Sequence, residues 1–371
     1  MQKADVLVVG AGLAGLQCAR RLAARGLDVV LIDRKASVTE AIQTTGIFVR
    51  KTWEDFPLPG EQFGAAIRDV TLYSPARRPL RLMADHDEFR VGRMPWILLY
   101  LLEQCVRAGV RWMPSSRFVS ADGRIVTIER SGRRERLHAR VVVGADGPRS
   151  RVAQVFGLDR NSEFLVGVED VIASRGGPPS LQCFLDPRLA PGYIAWVVDD
   201  GTEAHAGVAG YRNRFDPIAS LTRFREIVNA GRAIERRGGL IPVNGILRRI
   251  GNEHALLVGD AAGAVSPLTA GGIDAALRLS TFAAERIANG EMDRYSGDQF
   301  RTRFVARRWM RRTIAAVSHP FVIELACALM RLPPLRRVAE HIFFARGSFP
   351  DGGLEPLRER GLVVLDGKSG D

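Results

Sequence analysis

The sequence predicts an α/β protein in which a parallel, doubly wound sheet is interleaved with a second, antiparallel sheet and followed by a helical C-terminus. Three observations carry that reading. Val6–Val9, Val141–Val143 and Ala255–Val258 are unbroken apolar runs without alternation, the pattern of parallel strands buried on both faces. Each runs straight into a glycine-rich turn: Gly10–Gly15, Gly144–Gly147 and Gly259–Gly263. Between Glu163 and Gly245 the pattern changes to short strands separated by turn residues, which reads as an antiparallel sheet.

The first strand is followed by Gly10, Gly12 and Gly15 at GxGxxG spacing. The first glycine permits the turn, the second lets backbone approach a pyrophosphate, and the third lets helix pack on strand. The helix that follows has Leu16, Ala19, Leu22 and Ala23 on one side and stops near Gly26. Val29–Ile32 is the second strand, and Asp33 at its end is placed to accept hydrogen bonds from ribose hydroxyls. Taken alone, this unit admits either NAD or FAD.

Lys35–Gly64 reads as an irregular loop beside the nucleotide fold. Gly46, within Thr44–Gly46, either lets backbone approach a flat ring or makes a plain turn, and Lys51 reads as a surface lysine. Ile67–Tyr73 and Leu80–Met83 form an inserted hairpin, and Met94–Ala108 a helix with an apolar stripe. Arg93 opens that helix as either a phosphate partner or an exposed cap-region charge. Val110–Met113, Arg117–Ser120, Ile125–Arg130 and Leu137–Val143 are short strands, a small antiparallel insertion leading back to the main sheet. Asp146 then sits at a carboxyl end, where ligands of such sheets bind.

In the second sheet, Phe164–Ala173, Leu181–Leu185, Tyr193–Val198 and Ala204–Tyr211 read as strands and Ala219–Asn229 as a helix across them. Tyr193 and Trp196, three apart on a regular strand, would point to opposite faces, one toward substrate and one into the core. His205 reads as a structural histidine. Gly271 and Gly272 precede a helix from Ile273 to Ile287, exposing backbone N–H groups to a partly anionic flat ligand. Arg301–Arg346 reads as basic helices broken by His319-Pro320 and Pro333-Pro334.

At 371 residues, with 46% hydrophobic and 25% charged residues, the chain has material for two or three lobes and a large buried site. The net charge of +12 favours anionic partners, but no nucleic-acid module is present, so nucleic acid is excluded and a basic, membrane-facing surface stays open. Cys18, Cys105, Cys183 and Cys327 are too dispersed for a disulfide framework or zinc site, and no metal is expected. Only three residues precede the first strand, which leaves no room for a signal peptide. The apolar segment Pro320–Met330 is far shorter than the ~20 residues a spanning helix needs. A cytoplasmic protein, peripheral to membrane if it touches one, is the expectation.

As a set, the GxGxxG start, the Gly144–Gly147 turn and the Gly259–Gly263 to Ile273 stretch resemble the three FAD fingerprints of flavoproteins with the aromatic hydroxylase fold. Pro191–Trp196 and Ser266–Ile273 are most similar to the geranylgeranyl reductase family, whose members use FAD to saturate isoprenoid double bonds. Where that family usually has an aromatic residue and proline after the tryptophan, this chain has Val197–Asp199. Thr44–Gly46 stands for the family's frequent cysteine and paired glycines.

The resemblance implies a Rossmann-like FAD-binding domain (1–66, 90–160 and 248–290), an antiparallel substrate domain (67–89 and 161–247) and a helical region (291–371). It implies that Gly10, Gly12, Ala14 and Gly15 contact the pyrophosphate, Asp33 and Arg34 the adenosine, and Arg93 the phosphate or ribityl side. Asp260 would meet the ribityl or pyrophosphate portion. Gly272 and Ile273 would face the flavin pyrimidine edge, with Pro267, Gly271 and Gly46 beside the cofactor. Asp146 would organise its turn and serve FAD or pyridine nucleotide, while Tyr193 and Trp196 are candidates for substrate contact. No catalytic residue is assigned.

The implied function is reduction of an apolar, isoprenoid-like alkene, with NADPH or NADH as reductant. The alternative is a flavin monooxygenase acting on an aromatic or polyketide substrate with oxygen as co-substrate. A third reading, of another class, is a non-catalytic FAD-binding or membrane-associated interaction protein.

Overall fold

Gln2–Val9, apolar throughout its second half, can only be satisfied between two other strands, and that is where it lies. The computed structural model describes residues 1–317 and 319–344. In the first sheet the order runs Arg111–Met113, Val29–Ile32, Gln2–Val9, Arg133–Gly144, Ile125–Arg130 and Ser116–Asp122, with Ala255–Leu257 paired in parallel to Arg133–Gly144. Arg133–Gly144 serves two purposes. Its first half closes the antiparallel meander with Ile125–Arg130, and its second half runs parallel to Gln2–Val9 from Leu137 to Gly144. The glycine turns after Val9, Gly144 and Leu257 therefore emerge side by side at one edge of the sheet.

The second sheet has the order Ala233–Pro242, Phe164–Ala173, Glu203–Gly210, Ala195–Asp199, Ser180–Phe184, Asp69–Tyr73 and Pro79–Met83. All its pairs are antiparallel except Ser180–Phe184 with Asp69–Tyr73. That exception follows from connectivity. The inserted hairpin joins the sheet from far upstream, and a parallel pair needs a long crossover, here the whole stretch between Tyr73 and Ser180. The Pro217–Ile227 helix covers the outer face, packing Leu221 and Phe224 on Val168, Val197, Ala206 and Val208. The inner face, which carries Trp196 and Leu181, is turned to the first domain and the C-terminal helices.

The loop expected over Lys35–Gly64 is more ordered than its sequence suggests. Ile47–Val49 pairs with Phe89–Val91 as a separate two-stranded sheet, and Arg50–Asp55 is helical. Elements this short carry no readable periodicity. Ala233–Pro242, absent from the sequence reading, is an edge strand held by pairing along Phe164–Ala173, although its own glycines and charges argue against a strand. Three helices end the described chain, at Asp298–Ala316, Pro320–Leu329 and Pro333–Phe344, with breaks at the two proline signals. Ala345 and Arg346, expected to continue them, lie outside the described residues, as does everything after them. All four cysteines are buried and unpaired. Among the described residues no helix is long and apolar enough to cross a membrane.

Candidate functional site

One continuous cavity of about 2430 Å³ runs between the two sheets and under the C-terminal helices. Ordinary small-molecule pockets hold roughly 300–1,000 Å³, so this one has room for a dinucleotide and a second long ligand.

At one end stands the first glycine turn. Gly10 takes φ +105°, and a Cβ there would lie 2.3 Å from the Ala145 carbonyl oxygen. Gly12 is the N-cap of the Leu13–Ala23 helix, without a side-chain cap or an acidic residue in the first turn, so the helix start offers free N–H groups to the cavity. Asp33 is buried and binds the turn itself: its carboxylate accepts from the Ala11 N–H at 2.7 Å and the Lys35 N–H at 2.9 Å. Arg34 lies exposed on the cavity rim.

Asp146 lines the same end, and its carboxylate is occupied by the turn. It accepts from the Ser150 hydroxyl at 2.6 Å and from the Arg151 and Val152 N–H groups at 2.7 and 3.0 Å. Burial raises its carboxyl above the ordinary range, and those hydrogen bonds oppose the rise.

Asp260 differs from both. It lines the cavity beside Gly272, and no described residue donates a hydrogen bond to its carboxylate; burial pushes the carboxyl up to about 6. The Ile273–Ala288 helix begins at Gly272, again without a side-chain cap. An under-satisfied carboxylate facing two uncapped helix starts is a donor–acceptor set suited to a dinucleotide whose linker carries hydroxyls.

The sign of the Asp260 shift makes a prediction. Below about pH 4 the group is neutral folded or unfolded; between there and about pH 6 only the unfolded chain ionises it, so stability falls as pH rises and stays lowered above pH 6. Asp260→Asn is thus expected to stabilise the flavin-free protein above pH 6, by at most about 3 kcal/mol, with no gain near pH 4. The same variant should retain less flavin. Melting curves across this range, with flavin absorbance after purification, check both; a pH-independent difference would contradict the assignment.

Both aromatic candidates reach the cavity. Trp196 does so on the inner face of Ala195–Asp199, its ring lying against Gly207, where a Cβ would come within 2.3 Å of it. Tyr193, expected on the same strand, instead precedes it, so strand alternation does not govern it. Its hydroxyl donates to the Thr269 carbonyl at 2.5 Å, and the Arg311 guanidinium stands 4.9 Å from its ring centroid. Burial keeps this phenol well above its ordinary pKa.

Four expected cofactor residues are placed otherwise. Arg93 is outside the cavity and clamps Asp200 through two hydrogen bonds of 2.5 and 3.2 Å, with Glu203 at 3.4 Å. Burial raises the Asp200 carboxyl, but these bonds and the Thr202 and Glu203 N–H groups hold it below the ordinary range. The pair joins the Met94–Arg107 helix to the second sheet, and a phosphate partner is the reading that this placement corrects. Gly46 turns away against Gly92, leaving Thr45 and Ile47 to line the wall. Pro267 stands behind Ser266 and Leu268, and Gly15 packs under Gly10.

The second sheet adds groups that the sequence reading did not single out. Trp196, Gly207, Glu169 and Arg237 are lateral neighbours across four strands, and three of them line the cavity. The buried Glu169 carboxylate accepts from the Thr45 hydroxyl at 2.5 Å, while its other oxygen is 3.4 Å from His205 Nδ1. His205 is buried with Nε2 unpartnered. The available signal was Glu169-Asp170, two acids within an otherwise apolar strand. Asp170 is accounted for by Arg225 and Arg236 on the outer face.

The sequence profile of FAD-dependent oxidoreductases matches residues 5–90. Digeranylgeranylglycerophospholipid reductase 1 of Methanopyrus kandleri is 31% identical over 305 residues, 76% of this chain and 79% of its own length. Digeranylgeranylglycerophospholipid reductase 2 of Methanosphaera stadtmanae is 29% identical over 328 residues, covering 78% and 80% respectively. Among solved structures, a geranylgeranyl bacteriochlorophyll reductase-like protein of Thermoplasma acidophilum superposes with a TM-score of 0.78 at 21% identity, over 87% of this chain and 90% of that one.

Proposed function

The chain belongs to the geranylgeranyl reductase family, that of the digeranylgeranylglycerophospholipid reductases, and is an FAD-dependent oxidoreductase; on that premise we propose that it saturates carbon–carbon double bonds of an isoprenoid lipid. The observation that carries this reading is the cavity's composition. From the glycine turns it continues into a section walled by Leu72, Phe89, Leu181, Met330, Leu335 and Phe343, where a long hydrocarbon loses its water contacts.

FAD, when bound, supplies the hydride. The Gly10–Gly12 turn and the N–H groups at Leu13 and Ala14 would hold its pyrophosphate, Asp33 and Arg34 its adenosine, Asp260 its hydroxyl-bearing linker, and Gly272 and Ile273 its pyrimidine edge. Donors fixed there stabilise negative charge in a site that excludes water. Glu169 is the carboxyl group assigned to proton delivery. Its carboxyl lies on the inner face of the second sheet, Thr45 fixes the orientation of one oxygen, and His205 Nδ1 lies 3.4 Å from the other. Trp196 and Tyr193 orient the chain beside it.

NADH or NADPH as electron source is supported by the family resemblance. Anaerobic mixing with each nucleotide should bleach the flavin band, and a band unchanged by both would remove them. For the substrate, chemically reduced protein mixed with an unsaturated isoprenoid phospholipid under nitrogen should reoxidise and yield lipid heavier by one H₂ per double bond. Turnover that requires oxygen and inserts an oxygen atom would replace this reading with the monooxygenase one.

A lipid substrate also needs a route from its bilayer, and we place it at the Pro320–Leu329 helix. Ile323, Cys327 and Met330 of this segment line the cavity, whereas Phe321, Leu325, Leu329 and Leu332 project to solvent, Phe321 with 70% exposure. A helix apolar on both faces is uncovered in water. Exposed Arg331 and Arg337 nearby suit anionic headgroups. In flotation assays the protein should rise with anionic vesicles at low salt, less so at high salt, and lose binding on Phe321→Ser with Leu325→Ser. Protein that stays with the soluble fraction at low salt would overturn this placement.

A further inference from the structure

Arg311 has a contradictory setting. It is 2% exposed, its Nε and Nη2 find no hydrogen-bond acceptor, and among the described residues no carboxylate forms an ion pair with it. A guanidinium cannot shed its charge by deprotonation at ordinary pH. Its compensation is aromatic: the ring centroids of Tyr193 and Tyr211 lie 4.9 and 5.4 Å from its central carbon. Two ring faces offset only part of the hydration a buried cation gives up.

Its surroundings say what completes it. Arg311 lines the cavity, and Arg307, one turn earlier on the same helix, lines it too. Arg307 is half-buried, with burial lowering its pKa and no acid opposing that shift. Met310 and Ile314 continue this stripe of the Asp298–Ala316 helix along the wall, and Val317, just past its end, lines it as well. Tyr193, which carries the guanidinium on its ring, leads into the Ala195–Asp199 strand of the second sheet, and its hydroxyl is tied to Thr269 in the loop before the Ile273–Ala288 helix. Among the described residues neither cation has an acidic partner, and the same cavity also has an apolar section.

We propose that Arg311 and Arg307 form a subsite for the phosphoryl group of an isoprenoid substrate, holding the charged end while the hydrocarbon occupies the apolar section. This rests on the isoprenoid reading above. The planar guanidinium of Arg311 offers paired N–H donors to two phosphoryl oxygens, and Arg307 adds a second charge. An isoprenyl phosphate and an isoprenoid glycerophospholipid share this chemistry, and the subsite selects either against the uncharged alcohol.

The test is equilibrium binding to the oxidised holoprotein by calorimetry, using geranylgeranyl phosphate, an unsaturated isoprenoid ether phospholipid in detergent, geranylgeraniol and inorganic phosphate. Wild type should bind a phosphorylated isoprenoid at least about tenfold more tightly than the alcohol, and Arg311→Gln should reduce that preference to within about twofold. Arg307→Gln, at a less buried position, should weaken the same preference with melting temperature unchanged, so the proposal stays testable if Arg311→Gln does not fold. The phospholipid and monophosphate arms tell which phosphorylated source is preferred, and preference for either supports the subsite. If wild type binds none of the isoprenoids, the isoprenoid reading itself fails. If wild type binds phosphate ester and alcohol equally, the subsite is overturned and that reading stands. Arginine variants that shift the flavin reduction potential while keeping the phosphate preference would assign these residues to the cofactor instead.

Discussion

Glu169→Gln is expected to slow the half of the cycle in which reduced flavin is reoxidised by substrate, by about a hundredfold or more, with flavin occupancy unchanged. The expectation comes from elimination along the cavity wall. Asp33 and Asp146 are engaged by their own turns, Glu40 is exposed at the rim, and Asp274 is held by Arg278 Nε at 2.8 Å and the Thr52 hydroxyl at 3.0 Å. Asp260 sits among the cofactor-side glycines. Glu169 is the carboxyl that the second sheet contributes to the wall, next to Trp196 in the lateral row through Gly207. Glutamine keeps the volume and still accepts from Thr45, but its amide cannot deliver a proton to carbon. Rapid mixing of reduced protein with substrate, read at the flavin band, isolates the step, and KM should move little because the hydrocarbon contacts remain. A rate within about threefold of wild type would remove Glu169 from proton delivery.

How far the sequence discloses this architecture depends on whether a signal is local. Val6–Val9 and Val141–Val143 are readable because a strand buried on both faces must be apolar at every position, and the glycines after them because their turns admit little else. Ala233–Pro242 is not readable: its strand state is imposed by pairing with Phe164–Ala173 against the preference of Gly238 and Gly239. Arg93 shows the converse. A cation at a helix entrance has two ordinary partners, and only the fold brings Asp200 to it across 107 residues. Thr45, Glu169 and His205 are separated by 124 and 36 residues, so no spacing rule unites them. Arg311 is one of many arginines in the Asp298–Ala316 helix, and the sequence does not mark it as the buried one.

Gly12→Ala and Gly15→Ala should both yield protein largely without flavin, for different reasons that a melting curve separates. At Gly15 a Cβ would lie 1.8 Å from the Gly10 carbonyl oxygen. That carbonyl cannot retreat, because Gly10 is fixed by its N–H to the Ile32 carbonyl at 2.8 Å and abuts the Ala145 backbone. The Leu13–Ala23 helix must therefore move off the sheet, an overpacking cost of about 1–3 kcal/mol or more, and its N–H groups leave their line. At Gly12 the backbone has φ −81° and ψ −176°, which alanine adopts freely, and a Cβ would meet no protein atom within 4 Å. The new methyl projects into open space beside the helix start, so the fold should be unaffected and the melting temperature of the apoprotein preserved. What the methyl occupies is the approach of the pyrophosphate to the backbone. A Gly12→Ala protein that melts like wild-type apoprotein and binds no added FAD would locate the cofactor's phosphates by their exclusion. The same protein purified with full flavin would mean that the phosphates lie elsewhere, and the roles proposed for Asp33 and Asp260 would fall with that result.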